Sequence, residues 1–298
     1  MTTRLMEERY EHELLPDLAL LLAVFIWGAT FTVVKQSLQY TTPFLFLTLR
    51  FALALAIITA GVAPVLRSLT RRELVGGVLT GVALFLGFAF QTWGLVYTSA
   101  SKSAFITGLN VVLVPFFLWG ITRRRIRASR WATAGMAMLG LFMLTDPTGA
   151  AGLNRGDMLT VGCAVAFAGQ IIFLGIYAPN SHTLRYFWVQ LVIVVALAAA
   201  ATLAVGGWQL TPSTTLWWGL GVTGVVATAL AFLAQTWAQR RTSPTRTALI
   251  LTMEPVFGAG FAVLAAGEVL PLTAWLGGVL IVAAILWAEV RQTKAAVG

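Results

Sequence analysis

The stretch that decides the fold occurs twice, as QTWGLVYTSASKSA at residues 91–104 and as QTWAQRRTSPTRTA at residues 235–248. A shift of 144 residues lays Gln91-Thr92-Trp93 on Gln235-Thr236-Trp237, Thr98-Ser99 on Thr242-Ser243 and Ala104 on Ala248 without a gap. The same register puts Lys102 on Arg246, Asn110 on Glu254 and Trp131 on Trp275. Two apolar sequences share letters by chance, but a gapless series of polar and aromatic matches at one offset is more than composition supplies. The chain reads as a duplication.

Both copies lie in an apolar background. Of the 298 residues 58% are hydrophobic and only 10% charged, and the mean hydropathy is +0.85. A water-soluble globule has no use for that much apolar surface, so the surrounding solvent is lipid. A span needs about 20 apolar residues to cross roughly 30 Å of hydrocarbon. Charges and turn residues cut the chain into runs at 18–36, 43–62, 74–96, 103–121, 131–146, 157–177, 185–205, 214–238, 246–266 and 270–289. The seventh and eighth share one uncharged stretch from Tyr186 to Gln239, parted where Gly206, Gly207 and Pro212 favour a turn. The expected fold is an all-α integral membrane protein of ten transmembrane helices. A polar segment 1–17 precedes an uncleaved first span, the repeats cover 18–146 and 157–289, and a tail covers 290–298.

With both termini in the cytoplasm, 16 of the 20 Lys and Arg residues fall in cytoplasmic segments. Lys35, Arg50, Lys102 and Arg155 are the four left over, so the positive-inside rule supports the count and the orientation. Because five is odd, the second copy enters the membrane inverted. The charges agree. The loop 123–130, RRRIRASR, is predicted inside, whereas its counterpart 267–274, GEVLPLTA, is predicted outside and has no basic residue. Conversely, Arg240 and Arg241 stand where the first copy has Val96 and Tyr97. The net charge of +9 thus belongs to short clusters that meet anionic headgroups of a bacterial inner membrane, not to a nucleic-acid surface.

Four groups of residues carry a family resemblance: Trp27-Gly28-Ala29-Thr30-Phe31; Leu49-Arg50-Phe51; Met253-Glu254-Pro255-Val256-Phe257; and Gly267-Glu268 followed by Trp275-Leu276-Gly277-Gly278. In order and placement they resemble the drug/metabolite transporter superfamily, in its ten-helix EamA-type branch, over nearly the whole chain. Within that branch the chain looks most like amino-acid exporters of the YddG type. The resemblance implies a central cavity lined by the first four spans of each half, with the fifth and tenth at the periphery.

Candidate substrate-binding residues follow from the expense of polar groups in hydrocarbon, where a charge at mid-depth costs roughly 2.5–3.5 kcal/mol on insertion scales. Glu254 must therefore face the bundle interior, either to meet a substrate ammonium or a proton, or as a structural carboxylate bound to backbone freed by Pro255. Its repeat mate Asn110 precedes Pro115, so both spans are expected to have irregular, polar backbone at mid-depth. Arg50 either binds a substrate carboxylate, or snorkels, or forms a structural ion pair, for example with Glu254. Gln91 and Gln235 are repeat-equivalent, each followed two positions later by Trp93 or Trp237 on a different helix face. Phe90, Trp93 or Gly94, and Tyr97 form a stripe that either stacks on substrate or packs helices and anchors them at the interface. Trp27 lies too deep to be an interfacial anchor and is expected in the cavity, with Thr30 and Gln170 nearby.

No cofactor is implied. Gly219-Leu220-Gly221-Val222-Thr223-Gly224 fits G-x-G-x-x-G, yet it has no preceding strand and no acidic residue about 20 positions on. His12 and His182 are too distant to read as a metal pair, and Cys163 is alone. With no Walker A motif and no catalytic constellation, the sequence points away from an enzyme. It points to a secondary transporter that exports amino acids or related small metabolites by alternating access. Another small solute, such as a nucleoside, cationic drug or quaternary amine, is the in-class alternative, and a membrane-embedded enzyme or lipid-handling protein the out-of-class one. The oligomeric state is not encoded in any readable motif.

Overall fold

A computed structural model describes residues 14–98, 100–123, 128–145, 154–266 and 271–297. All regular elements among them are helical; Thr41 and Leu210 form an isolated antiparallel bridge. In chain order the helices are α1 (Leu14–Ser37), α2 (Pro43–Val62), α3 (Arg71–Gly94), α4 (Ala100–Thr107), α5 (Asn110–Thr122), α6 (Ala128–Thr145), α7 (Arg155–Tyr177) and α8 (Thr183–Val205). They continue as α9 (Thr214–Gly221), a π-helical segment (Val222–Leu230), α10 (Ala231–Ala238), α11 (Pro244–Leu251), α12 (Met253–Ala266) and α13 (Leu272–Val297). Among the described residues seven helical stretches are long and apolar enough to cross a membrane, and two shorter apolar ones, Trp131–Leu144 and Leu272–Trp287, accompany them. Half of the arginine loop 123–130, half of its counterpart 267–274 and the segment 1–13 lie outside the described residues.

Capping places the helix starts. Thr70 and Glu73 form a capping box at α3, Asn154 and Asp157 another at α7, and the Ser213 and Ser243 hydroxyls accept from Leu216 N and Arg246 N at α9 and α11. The predicted spans 103–121 and 246–266 are each broken within their first third, α4 ending at Thr107 and α11 at Leu251, 144 residues on. The break expected around Asn110 and Glu254 is therefore present, and each residue opens or nearly opens a half-helix.

The duplication extends to packing. The buried residues of α2, among them Phe46, Leu47, Arg50, Phe51, Ala54 and Ile58, recur in α8 as Tyr186, Phe187, Gln190, Leu191, Val194 and Ala198, an offset of 140. Those of α1, Leu20, Ala23, Val24, Gly28, Thr30 and Val34, recur in α7 as Thr160, Cys163, Ala164, Ala168, Gln170 and Leu174 at the same offset. The 144-residue register holds only from late in the third helix onward. Helix contacts obey the same rule: α2 packs on α8 and α6 on α13, while α3 against α7 is mirrored by the α9–π–α10 stretch against α1.

Polar contacts tie both ends of the bundle. At the end where α1, α3, α8 and α11 begin, Arg246 pairs with Asp17, Arg185 pairs with Glu73 at 2.8 Å, and Arg240 donates to the Thr183 hydroxyl at 2.9 Å. Partial burial, and then the neighbouring Arg241, lower the pKa of Arg240 from its ordinary value. Hydrogen bonds also tie the opposite end. The Thr42 hydroxyl donates to Gly207 O at 2.6 Å, Thr211 N to Tyr40 O at 2.8 Å, and Thr98 to the Asp157 carboxylate at 2.5 Å.

Candidate functional site

A cavity whose empty space, counted out to its mouth and including open solvent, is about 670 Å³ lies between the halves. Its wall is built largely from repeat-related pairs: Trp27 and Phe167, Thr30 and Gln170, Phe31 and Ile171, Phe88 and Phe232, Gln91 and Gln235, Thr107 and Leu251, Asn110 and Glu254. Four further wall residues come from the first half alone: Val34, Arg50, Thr92 and Leu95. Their counterparts Leu174, Gln190, Thr236 and Gln239 are at most 1% exposed and do not reach the cavity. All four sit toward the end of the bundle where α1 and α3 finish and α2 begins, so the cavity extends to that end and is closed at the ion-paired one.

The closed side is sealed by side-chain amides. Gln170 and Gln235 exchange contacts at 3.4 Å, Gln235 Nε2 donates to Gln239 Oε1 at 3.1 Å, and Gln239 Nε2 donates to Ile171 O at 3.1 Å. Leu95, the counterpart of Gln239, has no amide with which to build the mirror seal.

The charged groups stand apart. Arg50 is 3% exposed, its Nε donates to the Thr228 hydroxyl at 2.7 Å, and its guanidinium lies 4.6 Å from the Phe88 ring centroid. Among the described residues it has no carboxylate partner, so the ion pair with Glu254 considered from the sequence does not form. Glu254 lines the same cavity and likewise has no ion-pair partner among the described residues. Asn110 is buried with its Oδ1 unpaired. Gly28 lets α1 approach this wall: a Cβ there would stand 2.6 Å from Glu254 O and 2.9 Å from Gly258 N.

An aromatic cluster forms the rest of the site. Trp27 and Phe232 have ring centroids 4.6 Å apart, and Phe88 packs edge-on against Phe51, Phe167 and Phe232 at 5.1, 5.4 and 5.6 Å. Trp27 Nε1 donates to Ala227 O at 2.8 Å.

Of the residues singled out in the sequence, Trp27, Thr30, Arg50, Gln91, Asn110, Gln170, Gln235 and Glu254 come together on this wall. Trp93 and Tyr97 do not: they are 42% and 50% exposed on the bundle surface. Trp237 is half-buried under the Arg241 guanidinium, 4.8 Å from its ring centroid, also away from the cavity. The exposure of Trp93 and Tyr97 fits the packing and interfacial reading of the α3 stripe; the inward face is Phe88, Gln91, Thr92 and Leu95. Its signal was in the sequence, since F-x-x-Q-T-W occurs in both copies, with Phe88 and Phe232 at the same offset as the glutamines.

A lipid-compatible helical body built from two like halves around a mid-depth cavity belongs to a membrane transporter for small molecules. The chain belongs to the EamA-like transporter family, whose model matches residues 14–146 and 154–289, once for each repeat, and which lies within the drug/metabolite transporter superfamily. It is 33% identical over 276 residues to an uncharacterized transporter of Archaeoglobus fulgidus, covering 92% of this chain and 86% of that one. It is 23% identical over 288 residues to the uncharacterized transporter YwfM of Bacillus subtilis, covering 91% and 92% of the two. A crystal structure at 19% identity superposes with a TM-score of 0.79 over 94% of this chain and 98% of its own, which is a likeness of fold.

Proposed function

We propose that the chain transports amino acids with apolar side chains, binding the zwitterion between Arg50 and Glu254 and exporting it by alternating access. The observation that carries this reading is two ionisable groups of opposite type, neither with an ion-pair partner among the described residues, on the wall of one cavity. A buried charge without a partner is expensive, and a substrate carboxylate at Arg50 with a substrate ammonium at Glu254 would neutralise both. The aromatic cluster offers a surface for the side chain. A purely cationic substrate is the weaker reading, because Arg50 already occupies the Phe88 face that would attract it.

In this reading Trp27, Thr30, Gln91, Asn110, Gln170 and Gln235 complete the binding wall, and Trp93, Tyr97 and Trp237 take no part. The ten-span topology with both termini cytoplasmic fits the helix pairing, because α4 with α5, α9 with α10, and α11 with α12 each form one interrupted span. The arginine-rich end is then cytoplasmic, and the cavity faces outward. Inversion of the repeats supports an opposite state in which the roles of the two ends exchange. The test is uptake by proteoliposomes of L-phenylalanine, of 2-phenylethylamine, which lacks its carboxylate, and of 3-phenylpropionate, which lacks its amine. Phenylalanine is expected to be carried at least tenfold faster than either; equal uptake of the amine would overturn the zwitterion reading.

A further inference from the structure

The third helix and its counterpart differ by one residue. Their N-caps, Thr70 and Ser213, are 143 apart, as are Gly76 and Gly219, Thr80 and Thr223, and Gly81 and Gly224. From Phe88 and Phe232 onward the offset is 144. The extra residue of the second repeat falls between Gly224 and Phe232, where residues 82–87 face 225–231; set at Val225–Val226, so that Ala83 meets Ala227, it lies inside the π-helical segment Val222–Leu230. A one-residue insertion into a helix produces this local widening, and such segments gather at functional sites.

The widening has a consequence for the wall. Ala231 N donates to Val226 O and Thr228 O, passing over Ala227 O, the carbonyl an α-helix would use. Ala227 O instead accepts the Trp27 indole N–H at 2.8 Å, and the next residue, Thr228, accepts from Arg50 Nε at 2.7 Å. The first repeat is a control within the same molecule. Its α3 is unbroken, Leu84 stands where the second repeat has Thr228, and Gln190, the counterpart of Arg50, is 1% exposed with neither amide atom partnered. The glycines confirm this pairing of positions, since a Cβ on Gly81 would meet Gln190 O at 3.0 Å and one on Gly224 would meet Arg50 O at 3.0 Å.

We infer that the residue inserted at Val225–Val226 builds a holder for the substrate's carboxylate-binding group, with Thr228 as the positioning residue that fixes Arg50 against Phe88 and Ala227 O as the one that fixes Trp27. The inference rests on the zwitterion reading. Thr228 takes the Nε donor and leaves the two terminal nitrogens, which have no protein acceptor among the described residues, for an anionic oxygen. Losing the Thr228 hydroxyl frees the guanidinium to rotate without removing its charge.

The test measures melting temperature in detergent against rising concentrations of L-phenylalanine, 3-phenylpropionate and 2-phenylethylamine. In Thr228→Val the half-saturating concentration of the two carboxylates is expected to rise about tenfold, the order of one lost hydrogen bond to a charged group, with that of the amine unchanged. Thr228→Ser is expected to restore wild-type values. Deletion of Val226, which returns the segment to the first repeat's length, is expected to weaken carboxylate binding at least as much. Unchanged carboxylate binding in Thr228→Val, or equal weakening of all three ligands, would overturn the positioning role and leave the zwitterion reading standing. A wild-type protein that responds to neither carboxylate would overturn both.

Discussion

Leu95 and Gln239 occupy the same place in the two repeats, yet Leu95 borders the cavity and Gln239 is sealed inside an amide network at the closed end. The same holds for Val34 against Leu174, Arg50 against Gln190 and Thr92 against Thr236. Similar sequence in two copies has thus given two different conformations. Identical halves in an inverted arrangement have no reason to prefer one end, so a preference must come from residues that differ. One is identifiable here: the amide of Gln239 where the other half has the aliphatic chain of Leu95.

The comparison can be broken most severely at its charged members. Arg50→Met and Glu254→Gln each remove one of two opposite charges and are expected to lower phenylalanine uptake about 100-fold, since truncating one member of a buried charge contact costs about 2–5 kcal/mol. Retained transport in either variant, measured in proteoliposomes, would detach that charge from binding. A smaller effect probes the asymmetry itself. In a Cys163→Ser background, Leu95→Cys, which borders the cavity although only 3% exposed, is expected to react with an aqueous maleimide about tenfold faster than Gln239→Cys, which lies behind the amide network. Equal rates would erase the distinction between the ends. The smallest effect belongs to the polar residue left over in the apolar half. Gln190→Leu removes two unpaired buried polar atoms and is expected to stabilise the protein by about 1 kcal/mol, seen as a higher melting temperature. A loss of stability would mean that Gln190 has a partner in the resting state.

Glutamine, asparagine and glutamate positions were legible because a polar side chain in a lipid-embedded helix must turn inward, and repeat equivalence marked them in pairs. The aromatic residues were harder. Aromatic side chains are at home in the cavity, between helices and at the membrane interface alike, so Trp93 and Tyr97 were indistinguishable from Phe88 until the helix phase was known. Thr228 and Ala227 carried no signal of their own. A threonine or alanine in an apolar helix is ordinary, and the offset that changes from 143 to 144 has meaning only once a π-helix is seen to absorb it.

By itself the sequence determined that the chain lives in lipid, that it is two related halves, and that their backbone breaks near Asn110 and Glu254. These follow from composition, periodicity and a repeat, which are local or self-comparative properties. Tertiary structure alone decided that Arg50 pairs with a threonine hydroxyl and not with Glu254, and which of two equivalent ends is closed. Those outcomes depend on which side chains meet across the halves, where a few hydrogen bonds and ion pairs separate conformations that the repeat makes nearly equal.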